Sequence, residues 1–313
     1  MPYNQRVSGP SMEMINASTR VCAVFGQPVR HSASPAMHNA ALAALGLNWR
    51  YLAAEVLPDD LAAAIAGAKA MRYLGVNLTV PHKVAALGML DVVSEKARLL
   101  GAVNTIVFEA PGPTGDWAAL GRNPEYDTGQ IRSHGYNTDA AGLARSLKED
   151  FRWPDLQGAS VLLLGAGGAA RAAALQLAEE GVARLFLVNR TAARATELAA
   201  EVSIHFPAVK ISTTLPGETL DLVVNSTSLG LKPTDPSPLD YEWLTRHRPA
   251  RVYDMIYRPA ETALLRDAKK AGCQTANGLG MLLYQGAAAL ELWCGQPAPV
   301  EIMRAALQKH IYV

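Results

Sequence analysis

From Arg20 onward, short apolar runs alternate with alanine- and leucine-rich stretches whose apolar positions recur at helical spacing. In the first half the strand-like runs are 20–26 (RVCAVFG), 49–56 (WRYLAAEV), 74–80 (LGVNLTV) and 104–109 (NTIVFE). Helical patterns cover 34–46, 58–71, 82–90 and 93–101. This alternation predicts an α/β architecture with a largely parallel sheet. Ser34 before Pro35 reads as an N-cap hydroxyl followed by a first-turn proline, and Gly46 as the stop of that helix. Residues 110–133 break the pattern with glycine, proline and aspartate and predict a long loop. A helix from Asp139 to Asp150 leads into the second half, where strands are expected at 159–165, 184–190, 221–225 and 251–256.

A chain of 313 residues is long enough for two domains. Half of it is apolar, 18% is charged and the net charge is +1, which argues against a surface built for nucleic acid. Cys22, Cys273 and Cys294 are widely spaced in apolar surroundings and read as reduced core thiols. The first twenty residues lack the apolar core of a signal peptide, and no apolar run of membrane-spanning length follows. A cytoplasmic protein with no membrane partner is expected. Neither repeats nor low-complexity tracts occur.

The most specific chemical signal is ASVLLLGAGGAARAAALQLAEEG, a buried strand joined through a glycine turn to an amphipathic helix. Gly165, Ala166, Gly167, Gly168, Ala169 and Ala170 fit G-x-G-x-x-A, the turn that lets a pyrophosphate approach the backbone at a helix N-terminus. A carboxylate at the end of the following strand would favour NAD; this chain has Asn189, Arg190, Thr191 and Arg194 there instead. Two guanidinium groups suit the 2′-phosphate of NADP. The expected organisation is therefore a disordered tail over 1–19 and an N-terminal α/β substrate-binding catalytic domain over 20–150. A C-terminal Rossmann-like dinucleotide-binding domain over 151–313 completes it, with the final helix free to return to the first domain.

Hydride transfer to a carbonyl also needs a proton donor. NLTVPHK at 77–83 places polar Asn77 and Thr79 in an otherwise buried strand, with Lys83 beyond Pro81, and GYNTD at 135–139 ends in Asp139 before a helix. On the residues alone, Lys83 is as well read as a solvated lysine and Asp139 as a helix cap. HSASPAMH at 31–38 offers two histidines and two serines. His31 lies before the helix that carries His38, so the pair does not share a helical face, and no metal is expected. Nor does a nucleophile elbow surround the serines. Two hydroxyls at a helix start suit an anion instead.

Taken in order, HSASPAMHNA, NLTVPHK, GAVNT, GYNTDAAG, GAGGAAR, NRTAAR, NSTSLG, YDMIYRP and NGLGMLLYQ resemble the motifs of shikimate dehydrogenases, from Arg20 to Gly295. The resemblance implies NADP-linked interconversion of 3-dehydroshikimate and shikimate on the route to chorismate and aromatic amino acids. By motif, Ser32 and Ser34 would bind the substrate carboxylate, Thr79, Asn104 and Gln285 the ring hydroxyls, and Lys83 with Asp139 would be the catalytic pair. Gly165 to Ala169 would cradle the pyrophosphate and Asn189, Arg190, Thr191 and Arg194 the ribose phosphate. Thr227, Met255 and Gly278 would lie along the cofactor and Tyr257 near the reacting centre. A carboxylate beside a lysine favours the ammonium, so Lys83 is read as the proton donor to the developing alkoxide.

The 110–133 stretch is longer than the family's usual hairpin and is read as a surface loop ahead of a lid or an oligomer contact; Trp117 and Tyr126 hint at packing within it. Two alternatives are weighed: a quinate- or NAD-preferring relative, and a non-catalytic metabolite-binding regulator of the same fold. Ser34 and the missing acid near Asn189 argue against the first, and the intact Lys83, Asp139 and glycine loop against the second. Monomer and homodimer both stay open.

Overall fold

The computed structural model describes residues 15–112, 115–122 and 129–313. Tyr126 and the expected tail up to position 14 lie outside the described residues. Asn16 to Thr19 form a turn closed by the Thr19 N–H on the Asn16 carbonyl at 3.0 Å. The described chain divides into two compact units, one of residues up to Asn137 together with Gly286–Ile311, the other of Thr138–Gln285 with Tyr312. Tyr312 apart, the backbone therefore leaves the first unit once and returns to it once.

In the first unit the elements run β1 (Arg20–Gly26), α1 (Ser34–Ala44), β2 (Trp49–Glu55), α2 (Leu61–Ala70), β3 (Gly75–Leu78), β4 (Val92–Val93), α3 (Glu95–Leu100), β5 (Thr105–Pro111), β6 (Trp117–Ala119) and β7 (Arg132–Tyr136). The sheet order is β2-β1-β3-β5-β7-β4, with β6 paired to β5. Pairing is parallel from β2 through β3, but β5 runs antiparallel to β3, β6 and β7. The sheet is thus mixed where a largely parallel one was expected. A strand that returns directly, without a crossover helix, pairs antiparallel, and β5–β7 follow one another in that way. Part of the loop expected over 110–133 is accordingly strand.

The helix expected over 82–90 is a single 3₁₀ turn at Ala85–Gly88. The Lys83 carbonyl accepts from Val103 N–H at 2.8 Å and so is not in a helical ladder, while Leu87 N–H closes on Val84. Similarly, 58–71 divides into a 3₁₀ turn at Pro58–Asp60 followed by α2. Over 93–101 only α3 is helical, capped by Ser94, whose hydroxyl accepts from Ala97 N–H, and ended by left-handed Gly101. Met37, His38, Ala41 and Leu42 form the buried stripe of α1. Trp293 from the returning segment is fully buried, and its indole N–H donates to the Ile106 carbonyl at 3.0 Å. A side chain at Gly75 would collide with that ring.

The second unit contains α4 (Asp139–Asp150), β8 (Ser160–Leu164), α5 (Gly168–Glu179), β9 (Arg184–Val188), α6 (Ala192–His205), β10 (Lys210–Ser212), β11 (Leu222–Asn225), α7 (Tyr241–His247), β12 (Arg251–Asp254), α8 (Ala263–Lys270) and β13 (Gln274–Asn277). Helix α9 (Leu279–Cys294) and helix α10 (Val300–Tyr312) close the chain. Its six strands are all parallel in the order β10-β9-β8-β11-β12-β13. Counted from β8 this is 3-2-1-4-5-6, the doubly wound order, with its switch point between β8 and β11. Leu162, Val223 and Val252 pack with Leu244, Leu264 and Ala268 of α7 and α8. Full burial of each leucine in such a cluster contributes roughly 1.5–3 kcal/mol.

Candidate active site

Ligands of doubly wound sheets bind outside the carboxyl ends of the strands at the switch point, and the glycine loop leaves β8 there. Gly165 has φ +116°, and a β-carbon on it would lie 2.6 Å from the Ser226 hydroxyl, so only glycine fits. Its N–H donates to the Val188 carbonyl at 2.8 Å, while Ser226 donates from both backbone and hydroxyl to the Leu164 carbonyl. The ends of β8, β9 and β11 are thereby tied together. Gly167 and Gly168 are different. They have ordinary φ values, and a β-carbon on either would meet nothing within 4 Å, so nothing in the folded chain demands glycine at these positions. A group approaching from outside would, and α5 begins here with no side-chain cap over its N-terminal N–H groups.

A cleft of about 570 Å³ opens over this loop, lined among others by Gly165, Gly167, Asn189, Arg190, Thr227 and Pro238. Asn189 Nδ2 donates to the Thr191 carbonyl at 2.9 Å and fixes the turn into α6. Arg190, Thr191 and Arg194 are exposed at that turn. Neither arginine has an ion-pair partner among the described residues. The expected residues fit a dinucleotide phosphate by size and by charge.

Thr227, Met255 and Gly278 follow β11, β12 and β13 and are held by one buried network. The Thr227 hydroxyl donates to Asn225 Oδ1 at 2.7 Å and accepts from Leu229 N–H at 3.2 Å. Asn225 Nδ2 donates to Asp254 Oδ1 at 3.0 Å, and the Thr262 hydroxyl donates to Asp254 Oδ2 at 2.7 Å. Burial pushes the Asp254 carboxyl above its ordinary pKa against the pull of those donors. Met255 N–H donates to the Asn225 carbonyl at 2.9 Å, and a side chain on Gly278 would strike the Met255 carbonyl. Tyr257, whose phenol burial raises, has its carbonyl bound by the Tyr312 hydroxyl at 2.8 Å. Asp139 is the first residue of α4, with Thr138 at the cap and no side-chain cap bond. Gln285 donates to the Leu282 carbonyl at 2.8 Å, and α9 approaches α4 there because Gly142 has no side chain.

In the first unit, Ser32, Ser34, Thr79, Lys83 and Asn104 lie at one end of the central strands, after β1 and β3 and before β5. Helix α1 starts at Ser34 itself, with Ala33 in the cap position and no side-chain cap bond. Ser34 is therefore not the cap. The Ser32 hydroxyl instead accepts from Ser34 N–H at 3.3 Å. Thr79 N–H donates to the Phe25 carbonyl at 2.9 Å, and a side chain on Gly26 would collide with the Thr79 methyl. Leu78 N–H donates to the Asn104 carbonyl at 2.8 Å, Asn104 N–H to the Tyr136 carbonyl at 3.0 Å, and the Lys83 carbonyl is held by Val103. Tyr51 and Thr105 also reach this end of the sheet through Asn77. The motifs mark Asn77 as unusual, but nothing in the sequence joins it to a tyrosine on β2. Among the described residues no three histidine, cysteine, aspartate or glutamate side chains gather as a metal site. No described helix is long and apolar enough to cross a membrane.

Three family models match successive parts of the chain: the shikimate dehydrogenase substrate binding domain over 24–106, shikimate / quinate 5-dehydrogenase over 146–231, and the shikimate 5'-dehydrogenase C-terminal domain over 278–308. The shikimate dehydrogenase (NADP(+)) of Moorella thermoacetica is 45% identical over 307 residues, covering 95% of this chain and 96% of the relative. A crystal structure of a shikimate dehydrogenase in complex with NADP+ is 37% identical with TM-score 0.82, over 97% of this chain and 100% of that one. The Thermus thermophilus enzyme, in complex with NADP(H) and shikimate, is 36% identical with TM-score 0.76, over 93% and 99%.

Proposed function

Because the chain belongs to the shikimate dehydrogenase family, we propose that it reversibly reduces 3-dehydroshikimate to shikimate with NADPH, a step towards chorismate and the aromatic amino acids. The observation that carries the cofactor choice is the loop at Gly167 and Gly168, open where a β-carbon would stand, beside two exposed arginines and no carboxylate at the end of β9. When bound, the cofactor would supply hydride to the carbonyl carbon as NADPH and, in the reverse direction, accept it as NADP+.

The chain's own residues do the rest. Ser32 and Ser34 receive the substrate carboxylate, and Thr79, Asn104 and Gln285 hold the ring hydroxyls. The Lys83 ammonium gives its proton to the carbonyl oxygen as charge develops there, and Asp139 orients a ring hydroxyl. Tyr257 borders the reacting centre. Gly165, Ala166, Gly167, Gly168 and Ala169 receive the pyrophosphate; Asn189, Arg190, Thr191 and Arg194 receive the ribose phosphate; Thr227, Met255 and Gly278 border the rest of the cofactor. We place substrate binding in the N-terminal half and NADP binding in the C-terminal half. A small polar substrate and a net charge of +1 fit a cytoplasmic enzyme that needs neither membrane nor nucleic acid, and any assembly is expected to be a homodimer.

The test is a four-way assay of shikimate or quinate with NADP+ or NAD+, followed by reduced-nicotinamide absorbance. Turnover greatest with shikimate and NADP+ is expected; preference for quinate and NAD+, or silence in all four, overturns the reading. Lys83→Ala should lower kcat by about 10²-fold or more with intact binding of shikimate. A loss confined to KM would make Lys83 a binding residue instead.

A further inference from the structure

A directed hydrogen-bond relay runs through the buried interior of the first unit, near one end of its central strands. Asn77 Nδ2 lies 3.1 Å from the Asn104 backbone carbonyl and 3.0 Å from the Thr105 hydroxyl. A carbonyl only accepts, so this contact fixes the orientation of the Asn77 amide. Its oxygen must then face Tyr51, whose hydroxyl donates to it at 2.8 Å. The Thr105 oxygen already accepts from Asn77, so its own proton goes to Asn104 Oδ1, 3.0 Å away. Turning the Asn104 amide over would aim a second N–H at the same Thr105 oxygen and lose the O–H···O bond. Tyr51, Asn77, Asn104 and Thr105 are all buried, where a lost bond is not replaced by water.

We propose that Thr105 is a positioning residue for the reaction: its hydroxyl, set by Tyr51 and Asn77, holds the Asn104 carboxamide with its oxygen inward and its nitrogen turned to the substrate. The proposal rests on the reading that Asn104 binds the substrate, and it adds the sign of that contact. Asn104 acts as a donor, and the ring oxygen it meets must accept. A substrate hydroxyl or its oxidised carbonyl satisfies this equally, so the contact serves both directions of the reaction.

The experiment compares Thr105→Val, Thr105→Ser and Asn104→Ala in the full-length enzyme with shikimate and NADP+. Because the contact exists before and after hydride transfer, Thr105→Val should raise KM for shikimate about tenfold, change kcat less than about threefold and leave KM for NADP+ unmoved. Thr105→Ser, which restores the hydroxyl, should return KM to within about twofold of the parent. Where Thr105→Val does not fold, Tyr51→Phe removes the first donor and keeps the ring, and should raise KM about threefold. A KM for Thr105→Val, or for Tyr51→Phe in its place, within twofold of the parent while Asn104→Ala loses shikimate binding overturns the relay alone. Failure of serine to rescue valine also overturns it, since the effect is then one of packing. If Asn104→Ala leaves KM unchanged, the assignment of Asn104 to substrate is what has failed, and the relay goes with it.

Discussion

His38 lies in the buried stripe of α1, its ring stacked on Tyr51 at 4.2 Å with 6° between planes. Both its ring nitrogens are buried without a hydrogen-bond partner. Burial pushes its pKa down from 6.5 to about 3, so the folded protein keeps the ring neutral. Between those two values the unfolded chain binds one proton more than the folded one. Stability is therefore unaffected above pH 6.5 and falls as the pH drops towards 3, by up to about 1.4 kcal/mol per pH unit from this residue. His38→Phe keeps an aromatic ring against Tyr51 and removes both the titration and the unpartnered nitrogens. Urea unfolding at a series of pH values should show a variant at least as stable as the parent at pH 7 and a shallower loss below pH 6; an unchanged slope refutes the assignment. The same histidine belongs to the motif that reads as an anion site, and its burial and neutral ring leave that role to Ser32 and Ser34 in preference to His38.

The glycine loop between β8 and α5 separates two demands that its motif runs together. Gly165 is required by the fold, through a φ of +116° and the Ser226 hydroxyl 2.6 Å from a would-be β-carbon. Gly165→Ala should cost about 1–3 kcal/mol of stability. Gly167→Ala should unfold at nearly the parental temperature but bind NADP+ at least tenfold more weakly, by calorimetry; equal affinity removes the loop from the cofactor site. This β8–α5–β9 segment was legible because a continuous apolar strand, a glycine turn and a helix of period 3.6 are three signals in succession. The missed strands lacked them. In β7 the two inward positions are Ser133 and Gly135, so no apolar alternation shows. Strands β10 and β13 are the two edges of their sheet, partly exposed and polar in consequence. The turn after Pro81 escaped for another reason: its helical pattern is real, but the Lys83 carbonyl is claimed by Val103, about twenty positions away in sequence. Local pattern does not reveal such distant partners, and the Tyr51–Asn77–Thr105–Asn104 relay was hidden in the same way.

At the scale of the whole molecule, Trp293 shows that the first unit is not encoded in one piece. It is fully buried against Gly75 and bound to the Ile106 carbonyl, yet it comes after all of the second unit's strands. Loss of a buried tryptophan alone costs about 3–5 kcal/mol, comparable to the stability of a whole small domain. A chain ended after Gln285 should therefore retain a protease-resistant second unit and lose protection over β1–β7, as read by limited proteolysis with mass spectrometry. Protection of both would show that the returning segment is dispensable.

The connectivity also sets an order of events during synthesis. Every strand of the second unit is synthesised before Trp293, so that unit's sheet does not depend on the returning segment. The strands of the first unit must wait for a segment made after the whole second-unit sheet. Of the two units, the one translated first is thus the later to mature, and the apolar face that Trp293 will cover is what a molecular chaperone would meet in the interval.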